Sequence, residues 1–194
     1  MTTPCVVASQ SRSTFATTTL TKNCSARLAI ILLALGLVSP ASFAQEIDSI
    51  DTMQGSYEYK FANRLMNGKR YESENTLQIL GVSSTEAFFQ THLDWANGHS
   101  CDLSGSAMLE RGGLVYLEAL PRGRMCEFRI VEKEGTISFL DVGNNCRRRY
   151  CGNRGGFGGI KFAPATRHKI TQTEEANLLD LYRARRLKNE SNNR

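Results

Sequence analysis

Four cysteines, Cys101, Cys126, Cys146 and Cys151, have the number and spacing to do definite chemistry in this chain. They follow an N-terminal apolar run, and an even set in an exported chain reads as two disulfides, which persist in an oxidising compartment. Zinc is the rival. A four-cysteine zinc site normally shows two C-x2-C knuckles, whereas the close pair here is Cys146-x4-Cys151 and the three histidines have no ligand-like spacing. No metal is expected. The hairpin from Met125 to Val142 turns near Lys133-Glu134, which sets Cys126 opposite Asp141 and Val142, beside the loop carrying Cys146 and Cys151. Three pairings are permitted. The assignment adopted is Cys126 with Cys151 and Cys101 with Cys146.

No catalytic constellation accompanies them. The sequence has no G-x-S-x-G elbow, no H-E-x-x-H pair and no P-loop. Cysteines held in disulfides are not nucleophiles. His92 and Asp94 share the wetter face of one strand, but a surface His-Asp neighbour is a plainer reading than an acid-base or metal pair. The carboxylate pairs Glu72/Glu74 and Glu132/Glu134 flank turns, where solvation accounts for them. The protein is therefore expected to be no enzyme and to need no cofactor.

Binding candidates are better defined. In Trp95-Ala-Asn97-Gly98-His99-Ser-Cys101, Asn-Gly suits the positive φ of a tight turn, and a disulfide at Cys101 would fix His99 and the lone Trp95 at a strand end. An ordinary hairpin with a core tryptophan explains the same residues. Gly152 to Gly159 is glycine-dense, and its backbone amides with Arg154 would suit an anion. Its spacing matches no phosphate fingerprint ahead of a helix, so a loop shaped by its neighbouring disulfide is the simpler reading.

These residues must be positioned by short strands. Before them, Leu28 to Val38 is an apolar run of 11 residues, too short to span a bilayer core of ~30 Å, and Ser42-Phe43-Ala44 is a small-x-small pattern. Residues 1–44 are expected to be a signal peptide cleaved after Ala44, giving a periplasmic or secreted protein without a membrane anchor. Residues 45–170 form the expected disulfide-bonded β-domain, and residues 171–194 the expected C-terminal helix and tail. Cys101, Leu103, Gly105, Ala107 and Leu109 alternate with Asp102, Ser104, Ser106 and Glu110, a strand with a dry and a wet side. Similar alternation recurs from Gly55 to Phe162, and Arg111-Gly112-Gly113 and Pro121-Arg122-Gly123 turn the chain. The predicted class is all-β: a small antiparallel barrel of eight strands, or a two-sheet sandwich, carrying a C-terminal amphipathic helix. That helix is expected from about Thr173, its N-cap, to Asn189.

Charge runs unevenly. Residues 45–142 hold 9 Lys/Arg and 15 Asp/Glu, while residues 143–194 hold 12 and 4, so the two parts should attract or face different partners. Their near balance, with export, argues against a nucleic-acid ligand. Arg147-Arg148-Arg149 reads as a solvated rim before it reads as a polyanion site.

The order N-G-H-x-C-x3-G-x-A over Asn97 to Ala107, then Val115-Tyr116, Cys126-x-Phe128 and Cys151-Gly152-x-Arg154-Gly155, resembles small exported bacterial β-barrel proteins, some of which are periplasmic inhibitors of C-type lysozyme. The resemblance covers Gly55 to Phe162. It implies that Ser104-Gly105 and Tyr116 stand where those inhibitors place a serine-glycine segment and a tyrosine that enter the lysozyme cleft. The candidate binding residues are thus Trp95, His99, Ser104, Tyr116 and Arg154. The expected function is a binding or inhibitory protein of the cell envelope that engages a protein partner, a lysozyme-like muramidase or a rival's toxin. The alternative is a lipocalin-like carrier whose barrel interior holds a small apolar ligand.

Overall fold

The structure is a computed structural model and describes residues 49–192. The expected signal peptide and its cleavage point lie outside the described residues. Period-two patterning becomes strand wherever a turn residue ends it, giving β1 (Gly55–Arg64), β2 (Arg70–Gly81), β3 (Glu86–Trp95), β4 (His99–Glu110), β5 (Gly113–Leu120), β6 (Arg124–Lys133) and β7 (Thr136–Val142). Two short strands follow, β8 (Lys161–Phe162) and β9 (Arg167–His168), with helices α1 (Asn145–Tyr150) and α2 (Gln172–Asn192).

All neighbours are antiparallel in one sheet ordered β8-β7-β6-β5-β4-β3-β2-β1-β9, a nearly closed barrel and not a sandwich. Nine strands stand where eight were expected, because β9 spans two residues and shows no alternation. Its role lies in closure. β8 pairs with β7 and β9 with β1, and a single turn at Pro164–Thr166 joins them, so one segment reaches from one sheet edge to the other. Arg167 secures that segment by donating to the backbone carbonyls of Asp51 (2.9 Å), Thr52 (2.9 Å) and Gln54 (3.0 Å).

The barrel interior is filled. Phe89, Phe128, Phe139, Phe157 and Phe162 are buried within one cluster, with Phe89 and Phe128 stacked at 5.8 Å and Phe157 edge-on to Phe128 at 4.7 Å. Gly105 belongs to this packing: a Cβ there would lie 2.3 Å from the Tyr116 ring, so the glycine makes room for an aromatic side chain.

α2 packs outside the barrel. Its cap is Thr171, two residues before the expected Thr173, because Thr171 and Glu174 have the spacing of a capping box: the Thr171 N–H donates to Glu174 Oε2 (2.7 Å) and the Glu174 N–H to Thr171 Oγ1 (3.3 Å). Leu178 and Tyr182 then bury Leu80 of β2 and Phe88 of β3 in a second apolar cluster.

Candidate functional site

α1 is the structural centre of one barrel end. Gly143 and Asn144 turn the chain with positive φ, and the Asp141 carboxylate accepts the N–H groups of Cys146 (3.0 Å) and Arg147 (2.7 Å). Six residues are too few for a helix stable by itself. Tertiary bonds hold it: Cys146 is bonded to Cys126 on β6, Cys151 to Cys101 on β4, and the Tyr150 hydroxyl donates to Glu118 of β5. The expected pairs Cys126-Cys151 and Cys101-Cys146 are therefore corrected to Cys126-Cys146 and Cys101-Cys151. The reason is local. Cys146 lies four positions past Val142 and meets the nearby start of β6, while one and a half turns of helix carry Cys151 across the barrel mouth to β4.

Glu118 also accepts from the Tyr116 hydroxyl at 3.0 Å, so one carboxylate joins β5 to α1. Burial, then the hydrogen bonding and charge of its neighbours, raises the Tyr116 pKa far above the ordinary tyrosine value of 10.0. Tyr150 is raised for the same leading reason. Both hydroxyls are donors here.

The electrostatics of this end follow from the topology. In an up-and-down sheet alternate turns lie at the same end, so the segments 64–70, 95–99 and 120–124 gather with the chain from 142 to 159. Together these segments hold nine Lys/Arg, namely Arg64, Lys69, Arg70, Arg122, Arg124, Arg147, Arg148, Arg149 and Arg154, and no Asp or Glu. All nine are exposed. The opposite end mixes signs, with Asp51, Glu86, Glu110 and Glu134 beside Arg111, Lys133, Arg167 and Lys169. Charge is thus sorted by barrel end and not by sequence half: five of the nine cations come from the part whose balance is acidic.

A cleft opens in this basic end between the β1–β2 and β3–β4 turns, lined by Arg64, Leu65, Met66, Trp95, Asn97 and Arg154. The cleft unites two of the expected binding residues, Trp95 and Arg154. Trp95 is half-buried, and its indole N–H has no acceptor among the described residues. His99 stands at the same end, its Nδ1 3.2 Å from where a Cβ on Gly152 would lie. Gly155 lets the glycine-rich loop press on the disulfide, since a Cβ there would sit 2.9 Å from Cys101 Sγ.

The other two candidates lie apart. Ser104 is on the outer barrel wall and accepts from Arg185 Nη2 of α2 at 2.9 Å, while Tyr116 is inside the barrel and 6% exposed. Neither is presented at the end. Arg64 and Met66 of the cleft were missed, and adding charges over alternate turns, instead of along the chain, is the signal that finds the basic end.

His92 lies on β3. Both ring nitrogens face carboxylates, Nδ1 that of Asp102 at 2.5 Å and Nε2 that of Asp94 at 3.2 Å, which makes the ring a bridge between β3 and β4. No group of three His, Cys, Asp or Glu residues among the described residues forms a metal site. Two disulfides are consistent with folding in an oxidising compartment, and no helix among the described residues is long and apolar enough to cross a membrane. In comparisons with known proteins, the chain matches no family model, no curated sequence and no solved structure.

Proposed function

We propose that the protein is an exported, non-enzymatic binding protein of the cell envelope, and that the basic end of the barrel is its contact surface. The observation that carries this reading is the gathering of nine exposed cations on four chain segments that hold no carboxylate of their own, at the end where two disulfides and α1 cross-link the strands. A surface of one sign steers association and selects partners of the opposite sign. A fixed support limits the entropy lost on binding. The partner is a protein whose carboxylates lie in a cleft; in a muramidase of lysozyme type, which is basic overall, the contact is of this end's arginines with the acidic groups of the cleft. The filled interior supports contact at the surface over carriage of an apolar ligand, because the space a carrier uses is occupied by Phe89, Phe128 and Phe157.

The test is muramidase activity on cell-wall substrate with increasing amounts of residues 45–194, C-type lysozyme first and other muramidases next. Stoichiometric inhibition is expected, weakened at least tenfold by Arg124→Glu with Arg148→Glu and falling with salt. No inhibition of any muramidase at large molar excess removes that partner. Inhibition that ignores the charge reversal removes the basic end.

A further inference from the structure

We infer that the cleft holding Trp95 is the anchor pocket of this surface, and that it takes a carboxylate side chain with an adjacent apolar side chain from an acidic segment of the protein partner. The inference rests on the contact surface just proposed.

The pocket is built and not incidental. Asn97, in left-handed backbone at φ 69, accepts the Met66 N–H through Oδ1 at 2.9 Å. The Tyr71 hydroxyl donates to the Trp95 carbonyl (3.3 Å) and accepts the Gly98 N–H (3.2 Å). Three hydrogen bonds thus lock the β1–β2 turn and the start of β2 to the β3–β4 turn. Arg154 reaches the cleft from the glycine-rich loop, which is tethered by the Gly152 N–H to the Ser100 carbonyl at 3.1 Å. Walls fixed in this way lose little entropy when a ligand enters.

Its chemistry has two parts. The guanidinium groups of Arg64 and Arg154 have no hydrogen-bond or ion-pair partner among the described residues, and a guanidinium fork matches a carboxylate. The remaining walls are mainly apolar: Leu65, Trp95 and Met66, which is 82% exposed and whose thioether adapts to a partner's shape. The volume of about 250 Å³ lies below the usual range for small-molecule pockets and suits one or two side chains. A concave, apolar-walled site between two cations favours an acidic-apolar peptide over a flat anionic bilayer.

Trp95 is the only tryptophan of the chain, so its fluorescence reports on the pocket directly. The probes are the capped tripeptide acetyl-Glu-Phe-Glu-amide, its acetyl-Gln-Phe-Gln-amide counterpart, and vesicles containing phosphatidylglycerol. A saturable change in Trp95 emission is expected with the acidic peptide, at least tenfold weaker with the glutamine peptide, and lost in Arg64→Gln with Arg154→Gln at unchanged melting temperature. Equal response to the two peptides, a response to vesicles alone, or binding that survives the double substitution overturns the inference. Its failure is separable from that of the contact surface. Arg64→Gln with Arg154→Gln leaving muramidase inhibition intact while Arg124→Glu with Arg148→Glu abolishes it removes only the pocket, and inhibition indifferent to both pairs removes both.

Discussion

Glu118 receives two tyrosine hydroxyls, from Tyr116 and Tyr150, and deleting it leaves both donors stranded. Glu118→Ala should therefore cost about 2–3 kcal/mol in denaturant unfolding, against about 1 kcal/mol for Tyr150→Phe, which leaves the other bond in place. Because the fold raises the pKa of both tyrosines, their contribution is fully present below pH 10 and is lost as pH climbs through their folded values. Phenolate absorbance should show these two ionising only above pH 10, the ordinary tyrosine value. At His92, partial burial disfavours the imidazolium, but the Asp102 hydrogen bond and the charges of Asp102 and Asp94 outweigh it, so its pKa stands above 6.5. The associated stability is full below pH 6.5 and disappears as pH rises through the folded value. An NMR titration should place the midpoint above 6.5, with Asp102→Asn lowering it, and a midpoint at or below 6.5 contradicts the bridge.

The elements were legible to the degree that they bury a face. β4 follows the alternation read from Cys101 to Glu110, because it is dry on one side and wet on the other. α1 left no such trace: three of its six residues are arginines, and its contacts run through cysteines and a tyrosine hydroxyl. Its presence is also why the expected disulfide pairing failed. Peptide mapping of the oxidised protein should return Cys101-Cys151 and Cys126-Cys146. Their sequence separations of 50 and 20 imply, by loop-closure entropy, losses of about 4 and about 3 kcal/mol on removal. Cys101→Ser with Cys151→Ser should thus lower the melting temperature more than Cys126→Ser with Cys146→Ser does. On α2, Leu178 is 1% exposed, so Leu178→Ala should cost about 2–4 kcal/mol of helix docking. Protease should then cut α2 while the barrel remains intact, and simultaneous loss of both would show that helix and barrel unfold as one.

For the whole molecule, the sequence disclosed strands, turns and an even set of cysteines, but not where the charges meet. Counting along the chain separates an acidic part from a basic one, whereas up-and-down connectivity folds Arg64, Lys69, Arg70, Arg122 and Arg124 of the acidic part onto the same end as Arg147 to Arg149. That information is in the topology. Strand alternation puts Ser104 on the outer wall and Tyr116 in the interior. The most direct measurement of the central claim is site-specific photo-crosslinking in the cell envelope, with a photoreactive amino acid replacing Arg124 or Arg148 at the basic end, or Glu134 at the other. One discrete protein adduct from Arg124 and from Arg148, declining as salt rises and missing from Glu134, is the expected result. Adducts from Glu134 with none from Arg124 or Arg148 would contradict the account.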